Sequence, residues 1–185
     1  MNEQHEQWLE GGGLGVRFFR RDDRVAHEIG LAESGGWTVV LASCEGSADE
    51  DWPPSPPLQT LHVEAREGNR QVALLVGMAG KSHWSASIEL DPTSNCLVFD
   101  VACRTRAGHL GLLESRYRLT RPPHQFNQER AVLDAGARRL IVECGNTSAG
   151  SQISADTEEL RVSPAAVRAG ATAQTVRWAY RVALT

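Results

Sequence analysis

Most of the short signatures that announce a chemistry are missing from this chain. Its four cysteines, Cys44, Cys96, Cys103 and Cys144, are scattered, with no CxxC or CxxH spacing, which removes the usual zinc and thioredoxin-like readings. There is no HxH or HExxH pair for a metal and no GxSxG elbow for an activated serine. GxGxxG and GxxxxGK[ST] phosphate loops are missing too. No apolar run approaches the roughly 20 residues that span a bilayer. The opening MNEQHEQWLE has neither a basic n-region nor an apolar core, so no signal peptide is expected. No heptad or 3.6-residue periodicity is sustained, which excludes a helical fold, and no fixed repeat is present. A net charge of −4 lacks the clustered basic excess of a nucleic-acid footprint. The resulting expectations are a cytoplasmic protein with reduced thiols, no cofactor, no resident metal, no nucleic-acid partner and no membrane partner. Asn146-Thr147-Ser148 matches a glycosylation sequon, a chance match without a secretory route.

What is present is alternation. The 185 residues are 41% hydrophobic and 23% charged, ordinary values for a globular chain able to bury a core. The clearest stretch is Met78 to Arg104. Trp84, Ala86, Ile88 and Leu90 alternate with His83, Ser85, Ser87 and Glu89, and Leu97, Phe99, Val101 and Cys103 alternate with Val98, Asp100, Ala102 and Arg104. Successive strand side chains point to opposite faces, so each run reads as a half-buried strand. Asp91-Pro92-Thr93-Ser94-Asn95 between them is turn chemistry. Further strand-like runs lie at 16–20, 24–31, 37–44, 58–66, 72–79, 113–119, 138–144, 160–162 and 176–184, with 37–44 apolar on both faces at its centre as in a covered strand. Glu129 to Leu133 suggests a helical turn. Residues 1–15, ending in the glycine run 11–15, read as a flexible tail, and 16–185 as one domain. Glu45 to Pro57 is acidic and then proline-rich. Proline cannot donate to a ladder, so this segment is an ordered crossover loop rather than a strand. Its acidic flank argues against a PxxP ligand. Many short strands with turn signals predict an all-β, antiparallel β-sandwich, jelly-roll-like or meander-rich, with a closed β-barrel as the alternative.

Matching apolar faces across neighbours gives a register. With Gly80-Lys81-Ser82 as a three-residue connection, Val72, Leu74, Val76 and Met78 face inward. Ile88 lies beside Phe99 and Ser87 beside Asp100. A five-strand meander from Leu58 to Leu119 results. Its polar face collects His62, Glu64, His83, Ser85, Ser87, Glu89, Asp100, Arg104 and Arg116 around a floor of Ala73, Gly77 and Ala79. A small-residue floor between longer polar side chains suits a ligand, although water alone accounts for a polar face on an antiparallel sheet. Arg104, Arg106, Arg116, Arg118 and Arg121 form a basic cluster, and an anionic ligand is its sharpest functional reading.

Two functions follow as expectations. The first is a non-enzymatic module binding a polar small molecule, a carbohydrate or a protein partner. The second is a small enzyme acting on a sugar-like or anionic substrate through Glu89, Asp100 and a histidine, with Glu64 as a further carboxylate. Ser87 with His62 or His83 and Asp100 has the residue types of a triad, but a mid-strand serine lacks the strained elbow that activates it. Trp84 and Trp178 are expected in the core, and Trp52 caps the sandwich from the proline-rich loop.

Overall fold

The computed structural model describes residues 6–106, 111–145, 150–167 and 172–185. The glycosylation match at 146–148, His5 and His109 lie outside them. Fifteen strands follow in order: β1 Gln7–Gly11, β2 Leu14–Arg21, β3 Arg24–Glu33, β4 Gly36–Ser43, β5 Leu58–Ala65, β6 Gln71–Ala79, β7 Ser82–Asp91, β8 Cys96–Thr105, β9 Ser115–Leu119, β10 Gln125–Phe126, β11 Arg130–Ala135, β12 Arg138–Cys144, β13 Ser151–Ala155, β14 Glu159–Pro164 and β15 Gln174–Leu184. All pairings are antiparallel. A seven-stranded sheet runs β1-β2-β3-β4-β9-β14-β13, and an eight-stranded sheet runs β10-β11-β12-β15-β8-β7-β6-β5. The two sheets form a β-sandwich rather than a closed barrel. Among the described residues there is no α-helix, and no helix long and apolar enough to cross a membrane.

Two four-strand meanders, β1–β4 and β5–β8, supply most of the two sheets. The 44–57 segment carries the chain from one to the other, as its prolines require. It is held tightly. Ser55 hydrogen-bonds both the backbone N–H and the carbonyl of Arg116 at 3.0 Å. The ring of Trp52 meets that of Trp84 edge-on at 6.3 Å. Trp84 meets Trp178 the same way at 6.1 Å, and both are buried. Cys96 and Cys103 are buried, and none of the four cysteines is in a disulfide.

Four expectations are corrected. Residues 7–15 are not a flexible tail: Gln7–Gly11 pairs with β2, and Gly12-Gly13 forms the two-residue turn between Gly11 and Leu14. Both glycines have positive φ, 64° and 83°, the backbone such a hairpin turn needs. In place of the helical turn at 129–133, residues 130–133 belong to β11. The five-strand meander is cut to four, because β8 pairs with β15 while β9 pairs with β4 and β14 in the opposite sheet. Finally, β6 and β7 are joined by two residues, Gly80-Lys81, giving Ala79↔Ser82, Met78↔His83 and Gly77↔Trp84. One residue of slip exchanges the faces of a strand. Ala73, Leu75 and Ala79 are therefore buried, and Leu74, Val76 and Met78 stand in solvent.

Candidate functional site

The outer face of the eight-stranded sheet reads in rows from the observed register. One row holds Met78, His83, Arg104 and Thr175. The next holds Thr60, Val76, Ser85, Ala102 and Arg177. Then come His62, Leu74, Ser87, Asp100 and Ala179, and then Glu64, Val72, Glu89, Val98 and Arg181. Eight of the nine predicted site residues share this face. The ninth, Arg116, lies on β9 in the other sheet, where it pairs with Glu114 at 2.6 Å. The pairings Ser87↔Asp100 and Ile88↔Phe99 stand as the sequence predicted.

The small-residue floor exists, but one strand over from its predicted place. The β6 alanines point into the core, and the floor is formed by Ser85, Ser87 and Ala102 on β7 and β8. Beside it Leu74, Val76 and Met78 make an apolar wall, exposed by 39%, 54% and 47%. At one end of the face lies an open cleft of about 510 Å³, lined by Val76, Met78, His83, Ser85, Ala102 and Arg104, with Gln59, Thr60, Gly77, Trp84 and Thr175 completing it. Gln59 is committed elsewhere: its carbonyl accepts from the Met78 N–H at 3.1 Å and its amide donates to Asp23 at 3.2 Å. That clip accompanies the irregular register of β5 between Leu58 and Thr60.

Charges on this face are matched locally. Glu64 takes Arg66 at 2.8 Å and His62 at 3.8 Å. Glu89 takes Arg70 at 3.0 Å, Asp100 takes Arg177, and Glu143 takes Arg181 and Arg130. Glu89 is thus drawn towards the β6 side and Asp100 towards β15, so the two carboxylates do not converge as an acid–base pair. Nor does a triad assemble, because Leu74 stands between His62 and Ser87 in their row. Among the described residues no three histidine, cysteine or acidic side chains converge to hold a metal ion.

A second polar cluster lies between the sheets, and sequence reasoning missed it. His27 Nε2 is 2.9 Å from the Tyr117 hydroxyl, which is 2.5 Å from the Tyr180 hydroxyl. The Trp178 indole N–H donates to Ser115 Oγ at 3.0 Å. The His27 backbone N–H donates to Ser43 Oγ at 2.8 Å, and Ser43 in turn donates to the Glu45 carboxyl. Buried Arg24 holds the Glu45 and Ser47 carbonyls, each at 2.6 Å. His27 packs among Phe18, Phe99 and Tyr117. Burial there lowers its pKa to about 4 and raises that of Glu45 to about 7 against the opposing pull of Ser43, Arg24 and Arg21. The void that His27, Glu45, Ser115, Tyr117 and Tyr180 help to line is about 10 Å³, of the order of one water, too small for a substrate. The signal was faint: His27 shares a strand face with Val25 and Ile29, which is plainly a core face, and a core histidine needs a partner. The partner lies 90 residues away.

Compared with protein-family models and with curated proteins, the chain matches none.

Proposed function

We propose that the chain is a non-enzymatic binding module whose ligand, a polar small molecule or a carbohydrate, docks in the cleft on the outer face of the eight-stranded sheet. One observation carries this reading. The cleft joins an apolar wall, Val76 and Met78, to hydroxyl-bearing Thr60, Ser85 and Thr175, with His83 and Arg104 at its end. Sugars present this same pairing of apolar ring face and polar rim, and a few placed polar groups in a mainly apolar recess are the usual anatomy of a small-molecule site.

The alternative, an enzyme working through Glu89, Asp100 and a histidine, draws less support. Both carboxylates are part-exposed and each is committed to its own arginine, whereas a general acid or base needs an environment that tunes it. His27 and Glu45, whose pKa values burial does shift, sit in a closed core. The four thiols outside disulfides suit the reducing cytoplasm.

The test is a thermal-shift panel of neutral mono- and oligosaccharides and polar metabolites on the wild type and on Ser85→Trp, which fills the cleft floor. A ligand at about 100 times its dissociation constant adds roughly 2.7 kcal/mol. The shift is expected with the wild type and not with Ser85→Trp. A shift that persists in Ser85→Trp places the ligand elsewhere.

A further inference from the structure

We infer that the ligand of this cleft is an acidic saccharide, bound with its carboxylate on Arg104 and the apolar side of its ring against Val76 and Met78. The inference rests on the proposed binding site and adds the charge of the ligand. Among the described residues no carboxylate lines the cleft, although the chain carries 23 acidic residues. Arg104 differs from the other strand arginines of that face. Arg177, Arg181 and Arg130 each hold a carboxylate within 4 Å, whereas Arg104 holds none among the described residues. Its cross-strand neighbour is His83, which carries no negative charge to compete for the guanidinium. Lys81, in the adjoining turn, has no ion pair among the described residues either. The sum is a positively biased end on a neutralised face.

The ligand type follows from the geometry of the donors. A guanidinium offers a planar fork that matches a carboxylate with two parallel N–H bonds. Ser85 and Thr175 lie one strand to either side of β8, the strand that carries Arg104, about 4.8 Å away in the sheet direction. They are within reach of hydroxyls on the same ring. Val76 and Met78, more than half and nearly half exposed, offer the apolar surface that a pyranose face covers.

Trigalacturonate and its fully methyl-esterified form share a skeleton and differ in charge. Titrated into uniformly 15N-labelled protein, the acid is expected to perturb the amides of Val76, Ser85, Ala102 and Thr175, and the ester to bind at least tenfold more weakly. Arg104→Gln should weaken the acid at least tenfold and leave the ester unchanged. Arg104→Lys should recover part of the loss, and raising salt from 50 to 300 mM should weaken the acid alone. Equal binding of acid and ester, or an Arg104→Gln variant that binds the acid as the wild type does, overturns the anionic ligand while leaving the binding site standing. Failure of both probes to perturb the cleft also overturns it, and the neutral panel above then decides the site separately.

Discussion

The hydroxyls of Tyr117 and Tyr180 meet at 2.5 Å across the middle of the sandwich, one from each sheet. Tyr117 also meets His27 at 2.9 Å. The two tyrosines are therefore not equivalent. Tyr180→Phe leaves Tyr117 bonded to His27 and should cost about 1 kcal/mol. Tyr117→Phe strips a partner from two buried groups at once and should cost about 2 kcal/mol or more, because an orphaned buried polar group loses its solvation without recompense. Urea unfolding of the two variants checks the order. Equal or reversed losses contradict it.

His27 and Glu45 exchange a proton on folding. Burial holds the histidine neutral, with its pKa near 4 against 6.5 unfolded, so its contribution is present above pH 6.5 and is lost as pH falls through 4. Burial holds Glu45 protonated, with its pKa near 7 against 4.5 unfolded, so its contribution is present below pH 4.5 and is lost as pH rises through 7. Between pH 4.5 and 6.5 the two slopes oppose. Relative to the wild type, Glu45→Gln should gain stability as pH rises from 4.5 to 7, and His27→Gln should gain it as pH falls from 6.5 to 4. Denaturation midpoints at half-unit pH steps read both. Parallel curves for all three proteins contradict the exchange.

Gly77 is where the 44–57 crossover presses on the sheet. A Cβ there would stand 1.9 Å from the Pro57 carbonyl oxygen and 2.9 Å from Leu58 Cα, both backbone atoms. Gly77→Ala should cost about 1–3 kcal/mol, the usual range for overpacking, and should disturb the cleft whose wall Val76 and Met78 flank it. A loss below 0.5 kcal/mol, again by urea unfolding, would show that the crossover yields freely.

The outer-face residues away from the cleft should be dispensable for folding. His62, Glu64, Ser87, Glu89 and Asp100 sit in part-exposed or exposed positions, and all but Ser87 carry surface ion pairs, which contribute about 0–1 kcal/mol. Alanine at each should change stability by no more than about 0.5 kcal/mol. Losses of several kcal/mol would mark a structural network instead.

The same residues show what was legible in the sequence. Fold class and the β7–β8 pairing could be read because Trp84-Ser85-Ala86-Ser87-Ile88 alternates without ambiguity, and a slip would bury serines. β6 could not be phased that way. Gln71–Ala79 is apolar in both registers, and the larger set, Leu74, Val76 and Met78, looked like the core set. The core has no room for it: Pro57 and Leu58 lie against Gly77, whose cross-strand partner is the buried Trp84. That constraint comes from a segment about 20 residues upstream and leaves no periodic trace. The sheet assignment of β9 was hidden for a related reason. Arg116 alternates as well in either sheet, and only its pairing with β4 and β14, which are distant in sequence, decides.

On the proposed reading, ligand is met on the outer face and not between the sheets. The chain has two methionines, Met1 and Met78, so 13C-methyl labelling of methionine places one reporter on the cleft wall and leaves one for comparison. Titration with a ligand found in the thermal-shift panel should move or broaden the Met78 methyl resonance, assigned by Met78→Leu, in proportion to occupancy. A saturating ligand that stabilises the protein and leaves Met78 unmoved contradicts the claim.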